Sequence, residues 1–326
     1  EKRDAYFANI YEEIDMPGEW YIDETNRKMY VYPMNDNVDA EITMSYADFK
    51  FFNISGASYL TFYGFDILGG KASVLTVNDS DNVVFDNCKM HSFQGNIGNI
   101  GNTSTNCGIR NSEIYNLSKG GITVAGGDTD TLTPGNNFIT NNYIHDFSVY
   151  CDAYGAAVSL AVGSVGNLID HNEFANSPHE VIAYRGYNHI MEYNTFHDVC
   201  TNAADMGAIY TGRRLDQMGN IMRYNHFYSI GRKNKNANFR SHAIFVDDGS
   251  SGDIIYGNVF GPNDDNCEVL KVHGGVRHEI YNNLFIDSAY RMFADAAWTQ
   301  PQWINVCKNI TDQKADGYTD PSYRAV

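Results

Sequence analysis

A short motif recurs along most of this chain and restricts the folds that it can adopt. An apolar residue, a polar stretch with Asn and a second apolar residue return in turn, as in Ile190–Phe196, Ile221–Phe227 and Ile254–Phe260. Spacing between successive copies runs from 22 to 33 residues, and the longer intervals carry polar inserts. The final apolar residues of the copies are Ile67, Met90, Ile114, Ile144, Phe174, Phe196, Phe227, Phe260 and Phe285. A repeat of this length is typical of a solenoid or a propeller.

The repeats read as short β-strands. Their residues alternate with a period of two and are rich in Ile, Val, Tyr and Phe, whereas helical repeats would show a period of 3.6. A propeller blade needs roughly 40 residues, which is more than the shortest interval offers. We therefore predict an all-β parallel β-helix of nine to ten coils, forming one continuous domain over residues 51–326.

An Asn stands two residues before the apolar anchor in six of the repeats. The positions are Asn142, Asn172, Asn194, Asn225, Asn258 and Asn283. Coils that stack would bring these side chains to the same turn, where each amide can bond the copy on the next coil. The spacing therefore predicts an asparagine ladder along the helix.

Residues 1–50 differ from the rest. Two aromatic segments, Gly18–Ile22 and Met29–Pro33, flank a polar turn, which predicts a β-hairpin. We expect this segment to cap the first coil, because an open sheet edge needs a cover. Polar inserts at 148–154, 201–204 and 232–240 predict loops that build a binding face on the scaffold.

The charge balance excludes some functions. The 326-residue chain carries a net charge of -17, which argues against nucleic acid and anionic membranes as partners, since both call for basic surfaces. No apolar run reaches the length of a membrane span. Six cysteines lie far apart without a CxxC motif, so a zinc or thioredoxin-type site is not expected. We expect no cofactor, with Ca²⁺ left open as a structural ion.

Successive strands suggest a substrate groove. We align Val181–Arg185, Ile209–Arg213, Ile244–Asp248 and Leu270–Gly274, with first and third residues pointing inward. The outward columns then contain Ile182, Tyr210, Phe245 and Lys271, and Tyr184, Gly212, Asp247 and His273. Tyrosine rings stack on sugars, and carboxylates and imidazoles transfer protons. The outer face is therefore predicted to bind a glycan.

Carboxylates are the candidate catalytic groups. Asp205 and Asp247 fall one repeat apart, and a pair of carboxylates facing one groove can cleave a glycosidic bond. In strict register the two would be separated by roughly 20 Å of extended strand, so the chain near 201–204 must fold back for them to meet. Asp248 is the alternative partner. The opposing interpretation is that Asp247 and Asp248 only close a strand with a turn.

Further residues are candidates for substrate binding. They are Glu180, Tyr184, Arg185, Tyr210, Arg213, His242, Lys271 and His273. We expect Arg185 and Arg213 to occupy the same position on adjacent coils, where either can hold Asp247 or a substrate carboxylate. Ordinary rim residues are the alternative for each of them.

The chain also resembles a known family. The segments GEWYIDETNRKMYVYP, GAIYTGR and IFVDDGSSGDIIYGNVF, with the Asn-containing coils, resemble secreted β-helix proteins of glycoside hydrolase family 141. The resemblance implies a right-handed helix, secretion and hydrolysis of plant-type polysaccharide. The activities of that family include α-L-fucosidase and xylanase, and its catalytic carboxylates match Asp205 and Asp247, with Asp248 adjacent.

Two departures from that family stand out. Its members usually have more chain before the hairpin, so this sequence is expected to be a fragment or a shortened relative. The family's Asp-Ala-Gly-Ala-Ile run occurs here as Asp205–Ile209 with Met206 beside the acid. Three functions follow as hypotheses: an extracellular glycoside hydrolase, a polysaccharide lyase on the same scaffold, or a non-catalytic glycan-binding or structural rod.

Overall fold

A computed structural model describes residues 8–35, 42, 44, 48–101, 103–151, 153–202, 205–231, 240–263, 267–288 and 290–295. Most of the predicted insert at 232–240, residues 203–204 and the end of the chain from residue 296, with Cys307, lie outside these ranges. The chain divides into two compact units, Glu1–Met44 and Ser45–Val326.

The first unit contains the predicted hairpin. Strands β1 (Trp20–Asp23) and β2 (Lys28–Val31) pair antiparallel after a short 3₁₀ turn at Tyr11–Glu13. The ring of Tyr11 packs edge-on against those of Tyr21 and Tyr30, with centroids 5.5 and 5.0 Å away. These aromatic contacts hold the hairpin together. Its predicted role as a cap stays a prediction.

The second unit consists of three parallel sheets that wind around one core. Sheet 1 contains β3 (Phe52–Ser55), β6 (Leu75–Asn78), β9 (Gly98–Gly101), β12 (Ile122–Val124), β15 (Val158–Leu160), β18 (Ile182–Ala183), β21 (Met206–Gly212), β24 (Ser241–Asp247), β27 (Glu268–His273) and β30 (Tyr290–Asp295). Sheet 2 contains β4 (Ser58–Tyr63), β7 (Asp81–Asp86), β10 (Gly108–Arg110), β13 (Phe138–Thr140), β16 (Leu168–Asp170), β19 (Ile190–Glu192), β22 (Ile221–Arg223), β25 (Ile254–Tyr256) and β28 (Glu279–Tyr281). Sheet 3 contains β5 (Asp66–Leu68), β8 (Lys89–Phe93), β11 (Glu113–Leu117), β14 (Tyr143–Phe147), β17 (Glu173–Ser177), β20 (Thr195–Val199), β23 (His226–Tyr228), β26 (Val259–Phe260) and β29 (Leu284–Phe285).

Each coil contributes one strand to each sheet in turn, and each strand bonds to its copies one coil before and after. In the described part of the chain, nine coils followed by β30 therefore form a right-handed parallel β-helix, which confirms the predicted fold class. We number the coils 1 to 9 along the chain. No helix among the described residues is long and apolar enough to cross a membrane.

The interior is filled by the apolar anchors of the repeat. On coils 5 to 9 these are Phe174, Phe196, Phe227, Phe260 and Phe285, whose rings stack with centroids 4.6 to 5.1 Å apart. The first four are fully buried. The spacing matches the separation of neighbouring strands, so one anchor per coil builds a continuous apolar column. Cys88, Cys107, Cys200 and Cys267 are buried and Cys151 is exposed, and no disulfide joins any two of these five described cysteines.

The predicted asparagine ladder is confirmed at the turn between sheets 2 and 3. The side-chain amide of Asn194 donates to Oδ1 of Asn225 over 3.1 Å, and that of Asn225 donates to Oδ1 of Asn258 over 3.0 Å. The series continues from Asn142 through to Asn283 with the same geometry. Each side chain also bonds backbone groups of neighbouring coils, so the ladder satisfies buried polar groups that the turn would otherwise leave unpaired.

The register of sheet 1 differs from the predicted alignment by one residue at coil 6. Ile182 pairs with Ile209, and Ala183 pairs with Tyr210. The alignment of coils 7 to 9 is as predicted, with Tyr210 beside Phe245 and Phe245 beside Lys271. The error arose because Val181 and Ile182 both face the core, so strict alternation fails at that point.

Candidate active site

A cleft of about 270 Å³ opens on the outside of sheet 1, near its strands on coils 6 to 9. Four of the residues that line it are carboxylic acids, which agrees with the predicted chemistry of this face. The lining residues are Tyr154, His179, Glu180, Asp205, Met206, Tyr210, Arg213, Asp247, Asp248 and His273.

Asp247 is the most constrained acid in the cleft. It ends β24, and only 8% of its surface is exposed. The hydroxyl of Tyr210 donates to Oδ2 over 3.0 Å, and Nδ1 of His273 lies 2.9 Å from Oδ1. The backbone N–H of Asp248 also donates to Oδ1, over 2.8 Å. These three contacts, from residues on three consecutive coils, hold the carboxylate in one orientation.

Asp205 lines the same cleft and directly precedes β21. Ala208 and Ile209 are consecutive and both fully buried, so the strand cannot alternate strictly between them. A Cβ on Gly207 would lie only 2.8 Å from the backbone nitrogen of Phe245, so only glycine permits this close approach. Asp205 has φ 63°, so the chain turns at the residue before β21. The predicted fold-back near 201–204 stays a prediction, because residues 203–204 lie outside the described ranges.

The surroundings of Asp205 favour its protonated form. Burial raises the pKa of Asp205, the negative charge of Asp247 raises it further, and Lys271 opposes both effects. A carboxyl with a raised pKa beside a fixed carboxylate is the arrangement that separates an acid from a base.

Asp248 lies on the rim of the cleft. Nε of Arg213 donates to its Oδ2 over 2.8 Å, and the Arg213 side chain is 82% exposed. Nδ1 of His273 is 3.8 Å from its Oδ1. Asp248 has φ 44°, so its side chain leaves the strand through a turn and does not continue the alternation of β24.

Glu180 lines the inner wall on coil 6. It is 6% exposed, and its carboxyl makes no hydrogen bond with any residue that the structure describes. Burial raises the pKa of Glu180 to about 7, and Arg185 opposes the rise. The sequence identified Glu180 as a candidate, but its burial follows only from the coil that stacks over it.

Two of the predicted substrate-binding residues, Tyr184 and His242, are buried, and Tyr184 does not face outward as the sequence alignment predicted. Tyr184 is fully buried and faces the core, because the one-residue shift of register moves it to the inward column. His242 is 2% exposed, packs against the ring of Phe245 and bonds the backbone oxygen of Glu268 through Nδ1. Neither residue lines the cleft.

The two arginines also differ from the prediction. Continuing the observed register sets Arg185 beside Gly212, so it does not align with Arg213. Nη1 of Arg185 donates to the backbone oxygen of Tyr184 over 2.8 Å and contacts Oγ1 of Thr211. Arg213 holds Asp248, not Asp247. Lys271 lies next to the cleft, where Nζ is 3.6 Å from Oε2 of Glu268 and 5.8 Å from the ring centre of Phe245.

Sequence reasoning did not include Tyr154, His179 and Met206 among the site residues. Tyr154 lies in the insert at 148–154, whose location on the binding face was the available signal. His179 precedes Glu180, and its position in the cleft is set by the fold. Met206 is next to Asp205 and is buried.

Three of the cleft residues form a group with metal-ligating atoms. One ligand atom each from Asp247, Asp248 and His273 lie within 4.8 Å of one another. Ca²⁺ takes six to eight oxygen ligands, and this group supplies two carboxylates and an imidazole, so it fits Ca²⁺ poorly. Tyr210 and Arg213 already bond the carboxylate oxygens.

The fold and site define a right-handed parallel β-helix with an acidic cleft on its first sheet. No protein-family model matches the chain, and no curated protein matches it in sequence. The solved structures that are similar to it include the three that follow. A structure described as a glycoside hydrolase has a TM-score of 0.58 at 13% identity, covering 89% of this chain and 58% of that one.

The other two similarities are more distant. An alginate lyase from Paenibacillus sp. str. FPU-7 has a TM-score of 0.48 at 14% identity, covering 68% of this chain and 78% of that one. A tailspike protein mutant of E. coli bacteriophage HK620, in complex with a pentasaccharide, has a TM-score of 0.40 at 13% identity, covering 74% of this chain and 48% of that one. At 13% identity the similarity to the glycoside hydrolase structure shows the fold alone. The chain spans about half the length of that protein and of the tailspike protein.

Proposed function

We propose that this protein is an extracellular glycoside hydrolase that cleaves a plant- or algal-type polysaccharide with a pair of carboxyl groups, Asp205 and Asp247. The observation that carries the proposal is that these acids, on consecutive coils, line one cleft, where the charge of Asp247 contributes to the raised pKa of Asp205. The resemblance to glycoside hydrolase family 141 includes the positions of Asp205 and Asp247, and Asp248 is adjacent to Asp247 in sequence.

The reaction follows from this pairing. The carboxylic acid of the pair donates its proton to the leaving oxygen as the bond from that oxygen to the anomeric carbon breaks. The anomeric carbon then bonds either the carboxylate of the partner or a water whose proton passes to that carboxylate. Asp205, with its raised pKa, suits the first role, and Asp247, oriented by Tyr210 and His273, suits the second.

The acidity of the cleft supports a neutral substrate. Glu180, Asp205, Asp247 and Asp248 all line it, with Arg213 and His273 as the neighbouring basic side chains. A polyanionic glycan would be repelled by ionised carboxylates, as the net charge of -17 also indicates. The shared fold with a glycoside hydrolase supports the scaffold and leaves the sugar open.

The test is the release of reducing ends from a panel of neutral and uronate polysaccharides. We expect hydrolysis of at least one neutral glycan, and loss of more than 99% of that activity in Asp205→Asn and in Asp247→Asn. Asp198→Asn is the matched control, since Asp198 lies on the sheet 3 side and bonds His197. Full activity in both cleft variants would show that Asp205 and Asp247 are not the catalytic pair. Binding without release of reducing ends by the native protein would favour the non-catalytic rod.

One observation favours a second candidate, a polysaccharide lyase. The group of Asp247, Asp248 and His273 can bring a divalent cation to the cleft, and a cation can neutralise the carboxylate of a uronate during elimination. An unsaturated, ultraviolet-absorbing product from a uronate polymer, lost on adding a chelator, would establish this activity and exclude hydrolysis as the main reaction.

A further inference from the structure

One wall of the cleft contains no fixed charge and is not used by the carboxyl pair. It consists of Tyr154, which precedes β15 on coil 5, and of His179 and Glu180, which precede β18 on coil 6. Tyr154 is 86% exposed, whereas His179 and Glu180 are 5% and 6% exposed. An exposed aromatic ring thus stands above two buried polar side chains at the same opening.

The ring of Tyr154 contacts the imidazole of His179. Its centroid is 5.3 Å from that of His179, and the planes are tilted by 49°. The backbone N–H of Tyr154 donates to Nδ1 of His179 over 3.4 Å. One side of the tyrosine ring therefore packs on the imidazole. An ordered aromatic ring at a cleft is suited to stack on the C–H face of a sugar.

His179 is neutral, and its ring N–H is available to donate a hydrogen bond to a ligand. Burial lowers the pKa of His179 to about 4, so the ring is uncharged at neutral pH. Because Nδ1 accepts the Tyr154 N–H, the single ring proton is on Nε2. No residue that the structure describes bonds Nε2.

Glu180 is also uncharged through most of the acidic range. Its raised pKa of about 7 keeps a carboxylic acid O–H in a buried position that lines the cleft. The titratable groups that interact electrostatically with it are Arg185, two residues after β18, Tyr210 on β21 and Cys200 after β20, and His179 is its neighbour in sequence. A buried O–H without a partner gains a hydrogen bond when a ligand oxygen arrives.

We propose that Tyr154, His179 and Glu180 form a subsite that binds one uncharged sugar ring, with the tyrosine stacking on the ring and the two buried groups donating hydrogen bonds to its hydroxyl oxygens. The small volume of the cleft, about 270 Å³, is below the range of roughly 300–1,000 Å³ for pockets that hold drug-sized ligands, and suits a single ring. This inference rests on the proposed function for its choice of ligand class.

The test measures binding in the Asp247→Asn background, so that turnover is not needed. The probes are xylotriose, cellotriose and mannotriose, with trigalacturonate as the anionic comparison, titrated by calorimetry. We expect at least one neutral probe to bind, Tyr154→Ala to weaken it about tenfold or more, and Tyr154→Phe to retain it. Binding of trigalacturonate in preference to all three neutral probes, or of no neutral probe, would overturn the proposal.

Glu180 provides the sharper test, because the isosteric amide keeps a donor that cannot ionise. In the same background, affinity should fall as the pH rises through about 7, and Glu180→Gln should retain the affinity while abolishing this dependence. Glu180→Ala should weaken binding below pH 7, where the native carboxyl carries its proton, and should show no such pH dependence. Glu173→Gln, on sheet 3, is the matched control. Unchanged affinity in both Tyr154→Ala and Glu180→Ala, with thermal unfolding as in the parent, would contradict the subsite.

The outcome separates the two proposals. If the native protein hydrolyses no glycan but the probes bind with this pattern, the subsite stands and the hydrolase assignment fails. If the native protein hydrolyses a glycan while the KM of Tyr154→Ala and Glu180→Ala is unchanged, the hydrolase assignment stands and the subsite fails.

Discussion

The hydroxyl of Tyr210 donates to Oδ2 of Asp247 over 3.0 Å, although the residue that pairs with Asp247 is Gly212. The side chain of Tyr210 therefore lies along β21 across the space above Gly212. A Cβ on Gly212 would be 3.0 Å from that hydroxyl and 3.4 Å from Cβ of Asp247. The missing side chain leaves room for the bond that orients the carboxylate.

Removal of the Tyr210 hydroxyl tests this orientation. Hydrogen bonds to charged groups contribute about 1.5–3 kcal/mol, so Tyr210→Phe should lower kcat by roughly tenfold to a hundredfold. Thermal unfolding should change little, since the ring and its packing on Phe245 remain. Tyr193→Phe, an exposed tyrosine on a turn, is the control. An unchanged kcat in Tyr210→Phe would mean that the bond has no part in the reaction.

Gly212→Ala should disturb the same bond from the other side. The added methyl group displaces the Tyr210 hydroxyl, and the flexible end of that side chain can yield. We expect a kcat between those of the native protein and Tyr210→Phe, with a double variant no slower than Tyr210→Phe alone. Additive losses in the double variant would show that Gly212 acts through something else.

Substitution of an asparagine in the middle of the ladder should destabilise the fold more than substitution at its end. Asn194→Ala leaves the buried backbone N–H of Asn172 and the backbone oxygen of Ile169 without their partners. Each unpaired group costs about 1–3 kcal/mol, so the free energy of unfolding should drop by several kcal/mol. The control is Asn283→Ala, a partly exposed end member that should cost less. Equal losses at both positions would argue against a cooperative ladder.

Asp253 makes folding stability depend on pH. It is fully buried beside Tyr184, and burial raises its pKa from 3.8 to about 8. Between these values the native state holds a proton that the unfolded chain releases, so stability falls as the pH rises from about 4 to about 8.

The Asp253→Asn variant should not show this loss of folding stability with rising pH. With rising pH, the free energy of unfolding of the variant should therefore increase relative to that of the native protein, by up to about 5 kcal/mol near pH 8. Denaturant midpoints measured from pH 4 to pH 9 give the answer. Parallel midpoints for the two proteins across that range would contradict a neutral Asp253. Asp170→Asn is a comparison, because Asp170 is hydrogen-bonded by Thr140 and His171.

Chelation separates hydrolysis from lyase chemistry. If Asp247 acts as a carboxylate held by Tyr210 and His273, a chelator should leave the rate on a neutral glycan unchanged. Loss of activity with chelator, restored by adding back a divalent cation, would assign the group of Asp247, Asp248 and His273 to metal binding.

Much of the scaffold could be predicted because its causes are local and repeat. One apolar anchor and one Asn per copy specify a stacked column and a ladder, and both lie where the spacing placed them. The alignment failed at Tyr184, where two consecutive inward residues interrupt the alternation and shift the register by one. The local sequence pattern does not show where the alternation of inward and outward residues is interrupted.

The sequence by itself determined the winding, the ladder and the carboxylic acids that the chain offers, since each depends on residue type and period. Only the tertiary structure decided which acids meet. The fold places Asp205 in one cleft with Asp247, and the stacking of neighbouring coils buries Glu180 and His179 but leaves Tyr154 exposed. These outcomes depend on distances between coils, and such distances arise only when the coils pack.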